Sequence, residues 1–311
     1  MATLKKALVR EPIRGLDVGG SSRHRKAKLD TNDLSITDQV AVVTGGGGGI
    51  GRAIALALAD QGADVVIGEV VPERGEETAA RIRERGRRAV AVPMDVMDTD
   101  QVRALIDTAS REFGRLDILV NNAGGVSGRA FIDQSERSWR RHIDLNLVSL
   151  LAATSAAVPV MIAGGRGGSI INVTSIEASR AAPNYAVYAA CKAGMNNFTR
   201  TLAVELAEHG IRVNAIAPDQ TDTPGLRGNN PKGPVDPATW TPRGGEAEAA
   251  IARRIPLGRP GVPEECGHAA AFLASRLSAY VTGVILPVDG GTWASGGWVR
   301  NREGGGWTLI D

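Results

Sequence analysis

Tyr188 and Lys192 stand four positions apart, so on a helix they share one face. A phenol ordinarily titrates near pH ~10, and bringing it to about 7 costs about 4 kcal/mol. One ammonium at about 4 Å supplies roughly that amount at an effective dielectric of about 20. The pair could therefore make a base that works near neutral pH. The same spacing also arises where a tyrosine merely packs and a lysine is solvated, and the pair alone does not separate the two. Tyr185 is a rival phenol, but position 189 is Ala, so it lacks a lysine on its own face. Ser175 follows a strand-like run, where its hydroxyl could donate to an oxygen that gains negative charge, or only cap a helix.

A second constellation lies earlier in the chain. Gln39 to Thr44 (QVAVVT) runs into Gly45-Gly46-Gly47-Gly48-Gly49-Ile50-Gly51, after which apolar residues recur at helical spacing as far as Gln61. Glycines let the backbone turn tightly and approach a pyrophosphate, and the helix start offers unpaired N–H groups to phosphate oxygens. Glu69 closes the second strand about 20 residues further on, where an acid can hold the adenosine ribose hydroxyls. Facing the ribose it would repel a 2'-phosphate; a unit pair at ~4 Å and dielectric ~20 is worth ~4 kcal/mol. Gly46 to Gly48 include no Arg or Lys to counter it, although Arg52 and Arg74 are near in sequence. These residues favour NAD over NADP. The plainer alternative for Glu69 is an ordinary strand-end carboxylate.

Taken together, Thr44-Gly45 with Gly49-Ile50-Gly51, then Asn121-Asn122-Ala123-Gly124, then Tyr188-Ala189-Ala190-Cys191-Lys192, resemble the signatures of the short-chain dehydrogenase/reductases, in the shorter branch of that family. Ser175 lies 13 residues before Tyr188, the family's usual spacing, and Asn146 sits in the helix after the NNAG segment. The resemblance covers about residues 38 to 292 and implies a catalytic triad of Ser175, Tyr188 and Lys192, with Asn146 as a fourth member that anchors a relay water. It implies that Asp95 and Val96 contact the adenine, and that Asn121 to Gly124, including Asn122 and Ala123, flank the riboses. Pro218 and Thr223 would touch the nicotinamide carboxamide, and Tyr188 and Lys192 would also contact the cofactor, with Lys192 on the ribose hydroxyls. Gly45, Gly49, Ile50, Gly51 and Glu69 complete the cofactor set. The activity implied is NAD-dependent hydride transfer between nicotinamide and a secondary alcohol or ketone.

Two other functions compete. An NADPH-dependent 3-oxoacyl thioester reductase shares the core motifs, but a basic residue in the glycine turn would favour it, and this chain has Gly48 there. A non-catalytic dinucleotide-sensing protein is expected to lack the tyrosine or the lysine. Departures from the family pattern are Asp219, where Gly usually follows Pro218, and Cys191, read as a small buried filler. Asp219 is expected to turn outward and cap a helix rather than face the nicotinamide. Glu177 and Tyr185 are placed at the substrate pocket, with Arg180 and Asn184 as further candidates. Such polar walls would suit a sugar, polyol or cyclic diol. Trp240 and Trp293 would instead face an apolar ring, and Arg227, Arg243, Arg253 and Arg254 would attract an anion or simply be solvated.

Elements must carry these residues to one place. Strand-like runs at 39–44, 64–67, 89–92, 118–120, 170–173, 211–216 and 284–288 alternate with helical stretches such as 50–61, 100–113, 135–162, 186–209 and 264–274. Strands that are apolar nearly throughout imply a parallel sheet covered on both faces, here a single doubly wound Rossmann-type α/β domain of seven strands. The domain is expected over 38–292, with a substrate lid loop at 219–255. A basic extension (1–37) precedes it, and a Trp/Gly-rich tail (293–311) follows and docks on its own or a neighbouring subunit.

A net charge of +2 gives no bias toward nucleic acid, and no apolar run approaches the roughly 20 residues that span a bilayer. Cys191 and Cys266 lack metal or redox spacing and the four histidines are scattered, so a metal-free protein of the reducing cytoplasm is expected. The resemblance implies a homotetramer or homodimer paired through the helices that hold Asn146 and Tyr188.

Overall fold

The computed structural model describes residues 31–226, 242–302 and 304–309. Most of the basic extension, together with Arg227 and Trp240 of the expected lid, lies outside the described residues. Strand β1 (Val40–Thr44) sends Ala41 and Val43 to one side and Val40 and Val42 to the other, and all four are buried. A strand apolar on both sides has to be covered on both.

The chain obliges by alternation: α1 (Gly49–Asp60), β2 (Asp64–Glu69), α2 (Pro72–Glu84), β3 (Ala89–Pro93), α3 (Thr99–Phe113) and β4 (Ile118–Asn121). Then come α4 (Glu136–Ile143), α5 (Ser149–Gly164), β5 (Gly168–Val173), α6 (Ala186–Glu205), β6 (Ile211–Pro218), α7 (Gly245–Arg254), α8 (Pro263–Ala274) and β7 (Ile285–Val288). The seven strands pair in parallel in the order β3-β2-β1-β4-β5-β6-β7. One face is covered by α1, α2 and α8 through Ile54, Leu58, Ile82 and Leu273. The other is covered by α3, α5 and α6 through Leu105, Ile106, Ala157 and Ala203. Strand order reverses between β1 and β4, which opens a crevice at the carboxyl edge, where ligands of such sheets bind.

Three helical features depart from the sequence expectation. Helix α2 was not foreseen because only Gly75, Thr78, Ala79 and Ile82 of its 13 residues are buried, too thin an apolar stripe among Glu and Arg. Helix α7 falls inside the stretch expected to be an irregular lid, and none of its residues is buried, so no periodicity marks it. The expected helix over 135–162 is interrupted by a π-helical turn, Asp144–Val148, which holds Asn146.

The run Glu136–Gly164 is also long and apolar enough, by length and composition, to cross a membrane, contrary to expectation. Single polar residues such as Asn146, Ser149 and Thr154 divide the run in the sequence, yet they are buried in the fold. Its inner side lies on the sheet with Ala153, Ala157 and Met161, while Leu151 and Ile162 remain exposed.

The tail folds back on its own subunit. β8 (Val299–Arg300) pairs with β9 (Trp307–Thr308), Arg300 lies over the Trp307 ring, and its guanidinium donates to the Pro256 carbonyl at 2.7 Å.

A polar string crosses the core below the crevice. The Asn121 amide donates to Thr154 Oγ1 (3.1 Å) and Asn172 Oδ1 (2.9 Å), and Asn172 Nδ2 donates to Thr199 Oγ1 (2.9 Å). It ties α5, β4, β5 and α6 together under the crevice. Removing one member strands its buried partners, so Asn172→Ala should lower stability by about 1–3 kcal/mol in urea unfolding. A loss below about 0.5 kcal/mol would show that the string contributes no more than a surface contact.

Candidate active site

Strand β5 ends at Val173 and delivers Ser175 to the carboxyl edge in an extended conformation. The Ser175 hydroxyl accepts from the Glu177 N–H at 3.2 Å and lies 3.5 Å from the Pro218 carbonyl, to which it donates. Helix α6 starts beside it. Its Lys192 is 3% exposed, donates Nζ–H to the Val173 carbonyl at 2.8 Å, and sits 5.6 Å from the centre of the Tyr188 ring. The Ser175 hydroxyl favours the ionised form of the Tyr188 phenol. Serine, tyrosine and lysine thus converge at the end of β5.

Their acidities differ from the sequence expectation. Burial pushes the Tyr188 phenol above its ordinary value, the Glu177 carboxylate pushes the same way, and the Ser175 hydrogen bond opposes them. Burial pulls Lys192 down to about 8. The ammonium lies beside the aromatic ring and is bound to a carbonyl, so it does not offset the desolvation of the phenol. The chain's own groups therefore hold Tyr188 protonated.

Across the crevice, Gly45 (φ +65°) and Gly49 (φ +51°) take left-handed backbone that only glycine adopts without strain. A Cβ on Gly51 would lie 2.1 Å from the Gly45 carbonyl oxygen, so α1 can start only where it does if this residue has no side chain. Asn122 Nδ2 donates to the Thr44 and Gly45 carbonyls at 3.0 Å, which clamps the turn to β4. Thr44 Oγ1 accepts from the Asn122 and Ala123 N–H groups at 3.1 Å. Ile50 packs against the core.

The glycine turn curls over Glu69, whose Oε2 accepts from Gly47 N–H (2.9 Å) and Oε1 from Val71 N–H (3.1 Å). Arg52 turns away to Glu77 (2.8 Å) and Thr78 (2.9 Å), so it faces α2 and not the turn. Asp95 and Val96 follow β3; Val96 is buried and the Asp95 carboxylate accepts from Met97 N–H. Pro218 ends β6, and a Cβ on Gly49 would lie 3.4 Å from Thr223 Cγ2, so the segment after β6 reaches over the turn. The α1 terminus has no side-chain cap. Free backbone donors, glycines with no room for side chains and a carboxylate under the turn fit a dinucleotide.

One expectation needs correction. Asn121 turns into the core string and not toward the riboses. Both Asn146 amide hydrogens go to carbonyls, of Gly125 and His142 (2.9 Å each), and Oδ1 accepts from Gly125 N–H at 3.1 Å. Its side chain thus fixes the backbone beside Lys192. A Cβ on Gly124 would meet Asn146 Oδ1 at 2.8 Å and Lys192 Nζ at 3.5 Å.

The family model described as enoyl-(acyl carrier protein) reductase matches residues 45–292. The cis-4-hydroxycyclohexanecarboxylate dehydrogenase of Sinomonas cyclohexanicum is 43% identical over 258 residues, 83% of this chain and 97% of that protein. The chain is a short-chain dehydrogenase/reductase. The structure of a 7α-hydroxysteroid dehydrogenase with NADH and 7-oxo glycochenodeoxycholic acid is similar at a TM-score of 0.77 and 33% identity, over 85% of this chain and 98% of that one. Carveol dehydrogenase from Mycobacterium avium, in complex with NAD, gives 0.75 and 34%, over 83% of this chain and 99% of its own. The protein is accordingly an oxidoreductase that moves a hydride between a nicotinamide cofactor and an alcohol or ketone.

The outer walls of this dehydrogenase are partly polar. Tyr185 is exposed, with its ring where a Gly128 side chain would be (2.8 Å), and Asn184 (φ +71°) accepts from Arg129 N–H. Glu177 is held by Arg180. Asp219 neither turns outward nor caps a helix: its side chain is 7% exposed and paired with Arg180 (3.4 Å) and Arg254 (3.3 Å). A small residue at that position would leave both guanidiniums without this partner. Arg243 pairs with Asp222, and Trp293 is half-exposed, its backbone N–H donating to Asp289. No sequence pattern points to the Arg180–Asp219 pair, because the two residues are 39 positions apart and meet only through the fold.

Because Gly51 abuts Gly45, Gly51→Ala should overpack the turn by about 1–3 kcal/mol and weaken NADH binding at least about tenfold by fluorescence titration. Unchanged affinity would place the dinucleotide elsewhere.

Proposed function

We propose that the enzyme oxidises a secondary alcohol carried on a ring, using NAD, with Tyr188 as acid–base. The convergence of Ser175, Tyr188 and Lys192 at the carboxyl end of β5 carries this reading. Tyr188 takes the hydroxyl proton while Ser175 donates to the same oxygen, stabilising the charge that develops there. Lys192 has three N–H donors and gives one to Val173, which leaves it able to hold ribose hydroxyls. Asn146 keeps Gly124 and Gly125 in place beside it. When bound, an oxidised nicotinamide supplies the hydride acceptor and a positive charge beside the phenol. That charge is needed because Lys192 alone does not lower the phenol.

Gly45, Gly49, Ile50 and Gly51 cradle the pyrophosphate, Asp95 and Val96 border the adenine, and Asn122, Ala123 and Gly124 line the riboses. Pro218 and Thr223 approach the carboxamide. NAD is favoured over NADP because Glu69 lies under the glycine turn and Arg52 is engaged on α2. The same carboxylate weighs against an NADPH-dependent thioester reductase. Glu177 and Tyr185 border the substrate pocket. A ring-borne alcohol is supported by the hydroxycyclohexane and hydroxysteroid substrates in the names of similar proteins. The exposed Leu151 and Ile162 on α5 suit pairing of two copies, as a homodimer or within a homotetramer, and the free, buried Cys191 and Cys266 suit the reducing cytoplasm.

Following NADH absorbance with hydroxycyclohexanecarboxylates and hydroxysteroids tests the reading. Tyr188→Phe should lower kcat by about 10²–10⁴-fold, the worth of general acid–base catalysis, with NAD affinity retained. A variant as active as the parent would remove Tyr188 from the chemistry. The kcat/KM with NAD should exceed that with NADP by at least about 100-fold, the scale of one opposed charge pair, and Glu69→Ser should narrow the ratio. A preference for NADP would refute the role of Glu69.

A further inference from the structure

The crevice and Ser175 lie where the strands end. The opposite edge of the sheet, where the strands begin, holds a cavity of about 220 Å³ among the starts of β1, β4, β5 and β6 and the end of α8. Strand β5 runs for six residues from Gly168, at the cavity, toward Ser175. At about 3.3 Å per residue, roughly 20 Å separate the cavity from the catalytic edge.

The charges that line this cavity do not balance. Arg115, Arg166, Arg212 and Arg276 share it with a single carboxylate, Asp117. Asp117 is 6% exposed, and both of its oxygens are engaged. Oδ2 accepts from Val40 N–H (2.9 Å) and Arg115 Nε (2.6 Å), and Oδ1 from Arg115 Nη2 (2.8 Å) and Arg166 Nε (3.4 Å). Arg212 has no part in that group. Its two terminal nitrogens donate only to neutral oxygens, Ser278 Oγ at 2.9 Å and the carbonyls of Ala274, Ser275 and Val281. Burial pulls its pKa below the ordinary arginine value and no carboxylate opposes this, whereas Asp117 raises that of Arg115. The Arg276 side chain is exposed and has no ion pair or hydrogen bond among the described residues, and the same holds for the hydrogen bonds of the Gln39 amide.

We propose that this cavity binds a dianionic phosphate, as the inorganic ion or as the phosphoryl end of a small metabolite. A partly buried guanidinium without a counter-charge is costly, and an oxyanion beside Arg212 supplies one. Guanidinium forks match phosphate oxygens and hold them by charge-assisted bonds. Two charges on the ligand offset most of the excess of three and leave the Asp117 group intact. The Gln39 amide adds an uncharged donor. The volume falls below the roughly 300–1,000 Å³ of sites for drug-sized ligands, so the room suits a small anion.

The test is titration calorimetry of the NADH-saturated enzyme with sodium phosphate, against sodium chloride at equal ionic strength. At about pH 8 the phosphate carries close to two charges. Bound NADH keeps the ion out of the glycine turn, so that binding there is not mistaken for binding at the amino edge. We expect one saturable site per chain with a Kd of about 1 mM or tighter. Arg276→Glu and, separately, Arg166→Gln alter exposed side chains and should each weaken it at least about tenfold, the worth of one hydrogen bond to a charged group. NADH affinity should be unchanged in both. Glycerol 3-phosphate in a parallel titration separates the two sources: tighter binding than phosphate assigns the site to a phosphorylated metabolite, and equal or weaker binding to the inorganic ion. Absence of saturable binding, heat that chloride reproduces, or an affinity that both variants leave unchanged would overturn the proposal.

Discussion

Lys192 carries a charge into a place that water scarcely reaches, and the surrounding residues are arranged around that burden. Desolvating an ammonium is costly unless polar groups replace the water. Here the Val173 carbonyl at the end of β5 accepts from it, and Gly124 leaves the space above it free of any side chain. Asn146 holds Gly125 by a reciprocal amide pair, and the π-helical turn carrying Asn146 exposes the His142 carbonyl for its second hydrogen. The price of that turn is a break in an otherwise continuous helix, a common feature of functional positions. The polar string through Asn121 and Asn172 then ties the same strands and helices beneath the site.

The same edge of the sheet handles negative charge. Glu69 lies under the glycine turn with N–H donors on both carboxylate oxygens, which hold its charge in place beside the turn. Glu177 and Asp219 are buried more deeply than surface acids and are matched by Arg180 and Arg254. Asp219 replaces the glycine common in the family, and its two arginine partners come from different elements. One of those partners ends α7, so the charge network joins the carboxyl edge of the sheet to that helix.

Much of this was legible in the sequence because it is local. Short, nearly continuous apolar runs mark every strand of the sheet to within two residues, and the glycine turn, the NNAG segment and the Tyr188–Lys192 pair are contiguous signals. What escaped is what depends on distant partners or on weak periodicity. Helix α2 has too few buried positions and α7 has none. The destination of Asn121, the locked amide of Asn146 and the pairing of Asp219 follow from residues far away in the chain. The share that Lys192 has in the acidity of Tyr188 escaped for a related reason. A spacing of four residues fixes a shared face, but not whether the ammonium lies at the hydroxyl or beside the ring.

The most direct measurement is a crystal structure of the enzyme grown with NADH. We expect the nicotinamide ribose within hydrogen-bond distance of Lys192, the ring beside Tyr188 and Ser175, and the adenosine ribose on Glu69 under the glycine turn. A dinucleotide lying away from the end of β5, or a ring that Tyr188 cannot approach, would contradict the proposed chemistry.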